Sequence, residues 1–510
     1  MTRRHLAPWF LFLAVVIIYL AFPTRVYYWD GISFAQAIED ASSLSPSLVH
    51  PNHLIYNFAG YIFYKLLLSA GFELRAVTAL QILNSLLSAG CAVVLFAILS
   101  DTLRSVYLSL CVTLFFAFSA TWWKFSTDAS AYIPSVLFVL ISFYLVLPNR
   151  KARPLLAALT FFISIAFHQL AILMLPVLAL GIYLQDGPRS LRRRALDATY
   201  FAVAALTLIV ATYTFLFYLA SDSFDIARLV HWSASYSPDV DTSFHLWSNL
   251  QYSLRGHVRL FFGGRFNLLQ GLVNPFIILL LIALASAVAL LLFDALKNAR
   301  TIAMLQWLRE LRLESRQKTV LLLSLLWAIV YVVFLFFWLP QNTFYRLFYL
   351  PALIILFGLG LSSLRRPPGF VAVLVAAVVL ANFLFLIYPF SHVEKYPPLA
   401  FALELNREWR RGTVVYYGTK NTDEELIRYF TPGTHWKLMA EVDPIDIAAL
   451  DRELVNINNS GGSAWFETTA IDQFASTPEG ARWLETHARK DSWREVNDKA
   501  YKIRFVQVIP

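Results

Sequence analysis

Cysteine and charge are what this sequence has least of. Only Cys91 and Cys111 occur in 510 residues, both inside apolar segments, which leaves no disulfide framework and no metal-binding spacing. Charged residues make up 15%, against roughly a quarter in globular domains. Hydrophobic residues reach 58% and the mean hydropathy is +0.58. Such a chain reads as a polytopic membrane protein. No internal repeat or low-complexity tract stands out.

The formal net charge of +9 raises the question of nucleic acid. Its distribution answers it. Residues 391–510 hold 15 Lys and Arg against 18 Asp and Glu, so the excess of +12 belongs to residues 1–390. It clusters in short loops between apolar runs, which is the orientation signal of a membrane protein.

Apolar runs of spanning length lie at about 7–22, 77–100, 106–122, 130–148, 154–168, 169–185, 198–220, 275–296, 319–339, 345–362 and 369–390. They predict about eleven transmembrane helices. The basic start MTRRHLAPWF is followed by no small-residue cleavage site, so the first run is read as a retained span. Arg3 and Arg4 place the N-terminus inside, and Arg104, Arg150, Arg153, Arg192 to Arg194 and Arg365 fall on the same side. An odd number of spans leaves the C-terminus outside. This topology requires 50–70 to be a juxtamembrane helix on the outer face, and His168 to mark a tight outer turn. The outer face then collects loops 23–76, 122–130 and 221–274, together with the tail.

The expected domains are a transmembrane domain, 1–390, and a small α/β extracytoplasmic domain, 391–510. In the tail TVVYYG, HWKLMAE, AWFETTAI and YKIRFVQVI read as strands. TDEELIRYF, DPIDIAALDRELVNI and TPEGARWLETHA read as helices. The tail lacks a Gly-rich phosphate fingerprint, a nucleophile elbow and metal spacing. Its expected role is structural or acceptor-binding.

The stretch Arg25–Lys65 concentrates the chemistry. Asp30 follows Tyr27, Tyr28 and Trp29, rings that settle at a membrane–water interface. A carboxylate there is costly unless it works or is paired, for instance with Arg25. As a working group it suits a general base whose pKa partial desolvation raises. If 50–65 is helical, His50, His53 and Asn57 share one stripe, with Pro51 in the first turn. They line a cavity and bond sugar or phosphate oxygens, or the histidines are satisfied by backbone carbonyls. Asp128, in WWKFSTDASAYIP, either caps a helix beginning near Ala129 or faces Asp30 as a second carboxylate for sugar hydroxyls or a divalent metal. Metal involvement stays open, because Asp30, Asp128 and a histidine form no recognised ligand pattern. His168 interrupts an apolar hairpin, as a packed polar group or a functional one. Arg346 either snorkels to the interface or clamps a lipid phosphate with its bidentate fork.

The order of these features resembles the GT-C superfamily of membrane-embedded glycosyltransferases: a first span, YYWD30, H50PNHLIYN, ELRAVTALQILN, STD128, FH168Q, then R346LFYLP. Within it, HPNHLIYN is most similar to bacterial protein O-mannosyltransferase-like and aminoarabinose-transferase-like members. The resemblance implies transfer of a sugar from a polyprenyl-phosphate carrier to a lipid, glycan or protein acceptor on the outer face. By it Asp30 is the general base, Asp128 positions substrate, and Arg346 holds the carrier phosphate. His50, His53, Asn57 and His168 would line the substrate site. Asp30 stands as WDG, without the adjacent acid that many relatives carry. Membrane lipids are the remaining partners, and the few cysteines fit a bacterial inner membrane. Two rival readings are a lipid-saccharide flippase and a lipid-linked oligosaccharide ligase acting through Arg255, His257 and Arg259. The first needs polar groups at mid-membrane, whereas here they gather at one face.

Overall fold

A computed structural model describes residues 2–510 except 149, 186–188, 222–223, 235–244, nearly all of 265–313, 363–367, 410, 419–421, 440–446 and 499–500. The chain forms two compact units: Met1–Pro23 with Ala37–Pro389, and Thr24–Gln36 with Phe390–Pro510. Segment 24–36, which carries Asp30, belongs to the second of these units.

The first unit is helical. Ten of the eleven apolar runs carry helices, and the run at 275–296 falls almost wholly outside the described residues. Ala76–Leu103, Leu191–Ser221, Ser315–Trp338 and Gly369–Phe390 are long and apolar enough to cross a membrane. Val106–Ala117 and Ala120–Ser126 form a pair bent by 68° that passes the same test jointly. Tyr132–Val146, Pro154–Phe167, Gln169–Leu184 and Leu350–Ser362 are shorter apolar helices, as is the first, Leu6–Ala21. The protein is a polytopic helical membrane protein with a C-terminal domain.

Breaks in these helices are paid in hydrogen bonds from side chains. At the 68° bend, Tyr19 donates to the Ala117 carbonyl (2.5 Å) and Asn382 Nδ2 to that of Phe118 (3.0 Å). Asn382 also donates to Phe261 O (2.8 Å) and accepts from Gly263 N (3.2 Å). It thereby ties the bend to the end of helix Leu246–Phe261 and to the π-helical turn Phe383–Ile387 that follows it. Helix Ala76–Leu103 presents Gln81, Asn84, Ser85 and Ser88 at spacings of three and four, one polar stripe in an apolar helix. Gln81 donates to Thr127 O (2.9 Å), Asn84 to Asp128 O (2.8 Å) and Ser130 O (2.9 Å), and Ser85 to Ser126 O (3.2 Å).

The second unit contains a five-stranded sheet of order β2-β1-β3-β5-β4. Its strands are β1 Val414–Tyr417, β2 His435–Leu438, β3 Ala464–Glu467, β4 Arg494–Asp498 and β5 Tyr501–Val508. β1 pairs in parallel with β2 and β3, while β5 runs antiparallel to β3 and β4. Val414, Tyr416, Ala464, Phe466, Val506 and Val508 face a core filled by Leu454, Phe474 and Trp483. Helices Thr422–Phe430, Ile447–Asn459 and Pro478–His487 lie where the sequence predicts them. AWFETTAI does not remain a strand: it turns into helix Thr468–Ala475 after Glu467. The Glu467 carboxylate caps that helix, accepting from Thr469 N (2.8 Å) and Thr469 Oγ1 (2.5 Å). β4 and helix Pro397–Glu408 are elements the sequence reading did not propose.

Glu467→Ala removes the cap beneath a closed core, and the helix should lose about 1–2 kcal/mol. Hydrogen–deuterium exchange of the full chain should then quicken in 468–475 while β1 and β5 stay protected. Unchanged exchange there would show that the cap contributes nothing.

Candidate functional site

The expected stripe of His50, His53 and Asn57 on one helix is not formed. Helix Tyr56–Ser69 starts six residues later than His50, and 51–55 is a run of turns. Its backbone is satisfied elsewhere: Ile55 N donates to Ala166 O (3.1 Å), and Asn52 O accepts from Gln169 N (3.2 Å). Two irregular stretches, 50–55 and 166–169, bond each other instead of continuing as helices. This pairing brings three imidazoles together. His50 stacks on His53 with centroids 5.0 Å apart, and His53 meets His168 edge-on at 4.7 Å. Tyr132 lies 4.9 Å from the His168 ring.

Backbone contacts fix the proton on each ring. Asn52 N donates to His50 Nδ1 (3.2 Å) and Leu170 N to His168 Nδ1 (3.1 Å), so both carry their proton on Nε2. His53 Nδ1 faces the Phe167 carbonyl at 3.2 Å and donates to it, leaving Nε2 as the acceptor. Burial lowers His50 to about 4 and holds His53 well below its ordinary range, where His168 and His50 add to the effect. The cluster is neutral. Asn57 is buried at the start of the following helix, and its Oδ1 has no hydrogen-bond partner among the described residues.

Asp128 is fully buried. Its Oδ2 pairs with Lys124 Nζ at 2.8 Å and its Oδ1 accepts from Ala129 N at 2.9 Å. It does not cap a helix at Ala129. Asn84 holds the Asp128 and Ser130 carbonyls, which keeps the chain out of helix until Tyr132. Asp128 thus anchors a loop, with a cation already at its carboxylate. Among the described residues no three His, Cys, Asp or Glu side chains are grouped to hold a metal ion.

Arg346 sits in the 3-10 turn Phe344–Phe348 and is 1% exposed, which rules out snorkelling. Nη1 donates to Asn342 O (2.8 Å) and Nη2 to Pro340 O (2.7 Å), while Nε has no partner among the described residues. Among those residues no carboxylate pairs with it. Helix Leu246–Phe261 closes over the guanidinium at Gly256, where a Cβ would lie 2.5 Å from Nε. The adjacent His257 accepts from Tyr349 Oη (2.9 Å), its Nδ1 proton being held by Ser253 O (2.7 Å). Burial, helped by the Arg346 charge, lowers the His257 pKa. The turn also touches the imidazole cluster: His168 lies 5.7 Å from Tyr345 and 5.1 Å from Phe348, centroid to centroid. The three imidazoles therefore adjoin the turn that carries Arg346.

Asp30 belongs to the second unit, in the first turn of helix Trp29–Asp40. Arg25 does not pair with it, donating instead to Tyr27 Oη (3.4 Å). Burial pushes the Asp30 carboxyl up to about 7, a hydrogen bond from Tyr28 opposes that, and the Glu425 charge adds to it. Gly256, Tyr349, Asn382 and Glu425 were not singled out by the sequence reading. The available signal was the stripe Asn249, Ser253, Gly256 and Leu260 on a helix whose Trp247, Leu254 and Val258 are exposed.

No protein-family model and no curated protein matches the chain. Among solved structures it is similar to ArnT from Cupriavidus metallidurans bound to undecaprenyl phosphate. That likeness has 13% identity and a TM-score of 0.63, over 99% of this chain and 98% of that one. It is also similar to the same protein in the apo state (14%, 0.58, 98% and 97%).

Gly256→Ala gains about 1 kcal/mol of helix propensity yet sets a methyl against Arg346. We expect a net loss of about 1–3 kcal/mol, read as a lower melting temperature in detergent. Gly256→Ala with Arg346→Ala should lose less than the two single losses summed. Strict additivity would show that the methyl and the guanidinium do not meet.

Proposed function

We propose that this protein is a membrane glycosyltransferase. It moves a monosaccharide from a polyprenyl-phosphate carrier to a hydroxyl acceptor on the outer face of the membrane. The observation that carries the reading is Arg346: a buried guanidinium bonded only to carbonyl oxygens, with no carboxylate among the described residues. A buried charge without a counter-charge is strongly unfavourable, and the carrier phosphate, a diester in the donor and a monoester once the sugar has left, supplies the missing anion in a geometry the fork matches. The ArnT likeness supports the same ligand class, since that structure holds undecaprenyl phosphate.

A polyprenyl-phosphate sugar carries its own leaving group, so the protein has to orient, remove one proton and stabilise the departing phosphate. In the proposed step Asp30 takes the proton as the acceptor O–H bond breaks. The acceptor oxygen bonds C1 while the C1–O(phosphate) bond breaks, its electron pair leaving on the phosphate held by Arg346. One direct displacement inverts the anomeric centre. A carboxyl held up to about 7 is well matched to this, because a base works best with a pKa near the working pH. The imidazoles, all neutral, are suited to bond sugar hydroxyls. Asp128 keeps its place as the anchor of the loop between them and helix Ala120–Ser126. The topology that puts the C-terminal unit outside belongs to this proposal as well.

The ligase reading assigns catalysis to Arg255, His257 and Arg259. Arg255 and Arg259 are exposed, and His257 is bonded to Tyr349 beside the Arg346 site. The test uses membranes holding wild type or Asp30→Asn, supplied with tritiated undecaprenyl-phosphate monosaccharides. Wild type should transfer label, with a rate that rises with pH through about 7 as Asp30 deprotonates. Asp30→Asn should be slower by about 10²–10⁴-fold. Equal transfer by the two, with loss in Arg255→Ala, would move the ligase reading ahead.

A further inference from the structure

Asp30 has no acid next to it in sequence. The fold supplies one from nearly 400 residues away. Ser33 lies one turn after Asp30 on helix Trp29–Asp40, so the two side chains share a face. Ser33 Oγ donates to Glu425 Oε2 at 2.9 Å. Helix Thr422–Phe430, which carries Glu425, is fixed to the same segment by a second contact, the Tyr27 ring stacked on Phe430 at 5.5 Å. A backbone bond from Arg25 N to Phe390 O (2.6 Å) ties the start of the segment to the start of the C-terminal part. Glu425 is half-buried, and its hydrogen bond holds it in one place rather than leaving it to swing in solvent.

We infer that Glu425 is a positioning residue for Asp30, a second carboxylate lent by the C-terminal segment so that the two acids act as one base. The inference rests on the transferase reading and deepens it. Glu425 itself takes no proton in the step. Its negative charge disfavours a second charge beside it, so Asp30 holds an abstracted proton more firmly than a lone carboxylate would. Among the described residues of this unit, Tyr28 and Glu425 are the titratable groups acting on Asp30; Tyr28 favours the ionised form and Glu425 the protonated one. It also gives the C-terminal unit a part in the chemistry.

The bland alternative is that Glu425 only ties two helices together, which would affect stability and leave proton affinity alone. Glu425→Gln separates them, since the amide oxygen still accepts from Ser33 while the charge is gone. The full-length variant would be compared with wild type and Glu425→Asp in two assays between pH 5.5 and 8.5. One is label transfer from undecaprenyl-phosphate monosaccharides. The other is modification of the protonated Asp30 carboxyl by a carbodiimide, read by mass spectrometry. Glu425→Gln should move both midpoints to lower pH by about half a unit or more, with Glu425→Asp close to wild type. Ser33→Ala, which keeps the charge and frees it, should fall between. Midpoints that stay at the wild-type value in Glu425→Gln, while Asp30→Asn is inactive, would overturn the inference and spare the base. If instead the carbodiimide midpoint shifts and Asp30→Asn still transfers label, the carboxylate pair stands as a structural fact but its role in catalysis falls with the transferase reading.

Discussion

Backbone that leaves the helix inside an apolar protein must find new hydrogen-bond partners, and much of the membrane unit is arranged to supply them. Every break near the site has a named donor or acceptor. Tyr19 and Asn382 serve the bend at 117–118, Asn84 and Gln81 the loop 127–130, and His53 the end of helix Pro154–Phe167. Tyr331 donates to Leu170 O (3.1 Å) and Trp327 Nε1 to Phe348 O (2.9 Å), which holds the 3-10 turns at 169–174 and 344–348. The polar side chains scattered through the apolar runs are thus the cost of having broken helices there. The breaks in turn are what present His168, Arg346 and the loop around Asp128.

Charge follows a different logic from hydrogen bonding. Asp128 and Lys124 neutralise each other beneath the surface, so that pair stabilises a loop and leaves no net field for a ligand. Arg346 is left charged, its two amino groups occupied by carbonyl oxygens that cannot offset a full positive charge. Gly256 lets a helix backbone close over it, and the neighbouring His257 is kept neutral by burial and by that same charge. Among the described residues, Arg346 is thus a cation that no carboxylate offsets, next to neutral imidazoles and aromatic rings.

The helical membrane architecture and the α/β tail were legible in the sequence because apolar runs and strand–helix alternation are local patterns. The order of Asp30, His50, Asp128, His168 and Arg346 was legible too. What each of those residues touches was not. His50 and His53 were expected on a helix, because Pro51 and the spacing suit one; the competing bond from 55 to 166 comes from a segment a hundred residues away. For Asp128 the sequence left a helix cap and a second carboxylate facing Asp30 both open, and Asn84 on another helix keeps the chain from starting a helix there. Nor does WDG reveal that Ser33 will meet Glu425. Local pattern fixes the elements, and long-range hydrogen bonds decide where the elements stop.

Under the transferase proposal the two ionisable groups have opposite needs. An anion clamp should keep its charge at every pH, and a guanidinium does so even when buried, provided its donors are satisfied. Arg346 has carbonyls on both amino groups, while its Nε has no partner among the described residues. A base should change charge near the working pH, which for a carboxylate calls for partial burial and a neighbouring negative charge rather than a cation. Asp30 has that setting, half-buried, with Glu425 adding to the shift and Arg25 turned to Tyr27. Under the transferase proposal, that setting keeps Asp30 able to take a proton near neutral pH, where a carboxylate paired with a cation would not.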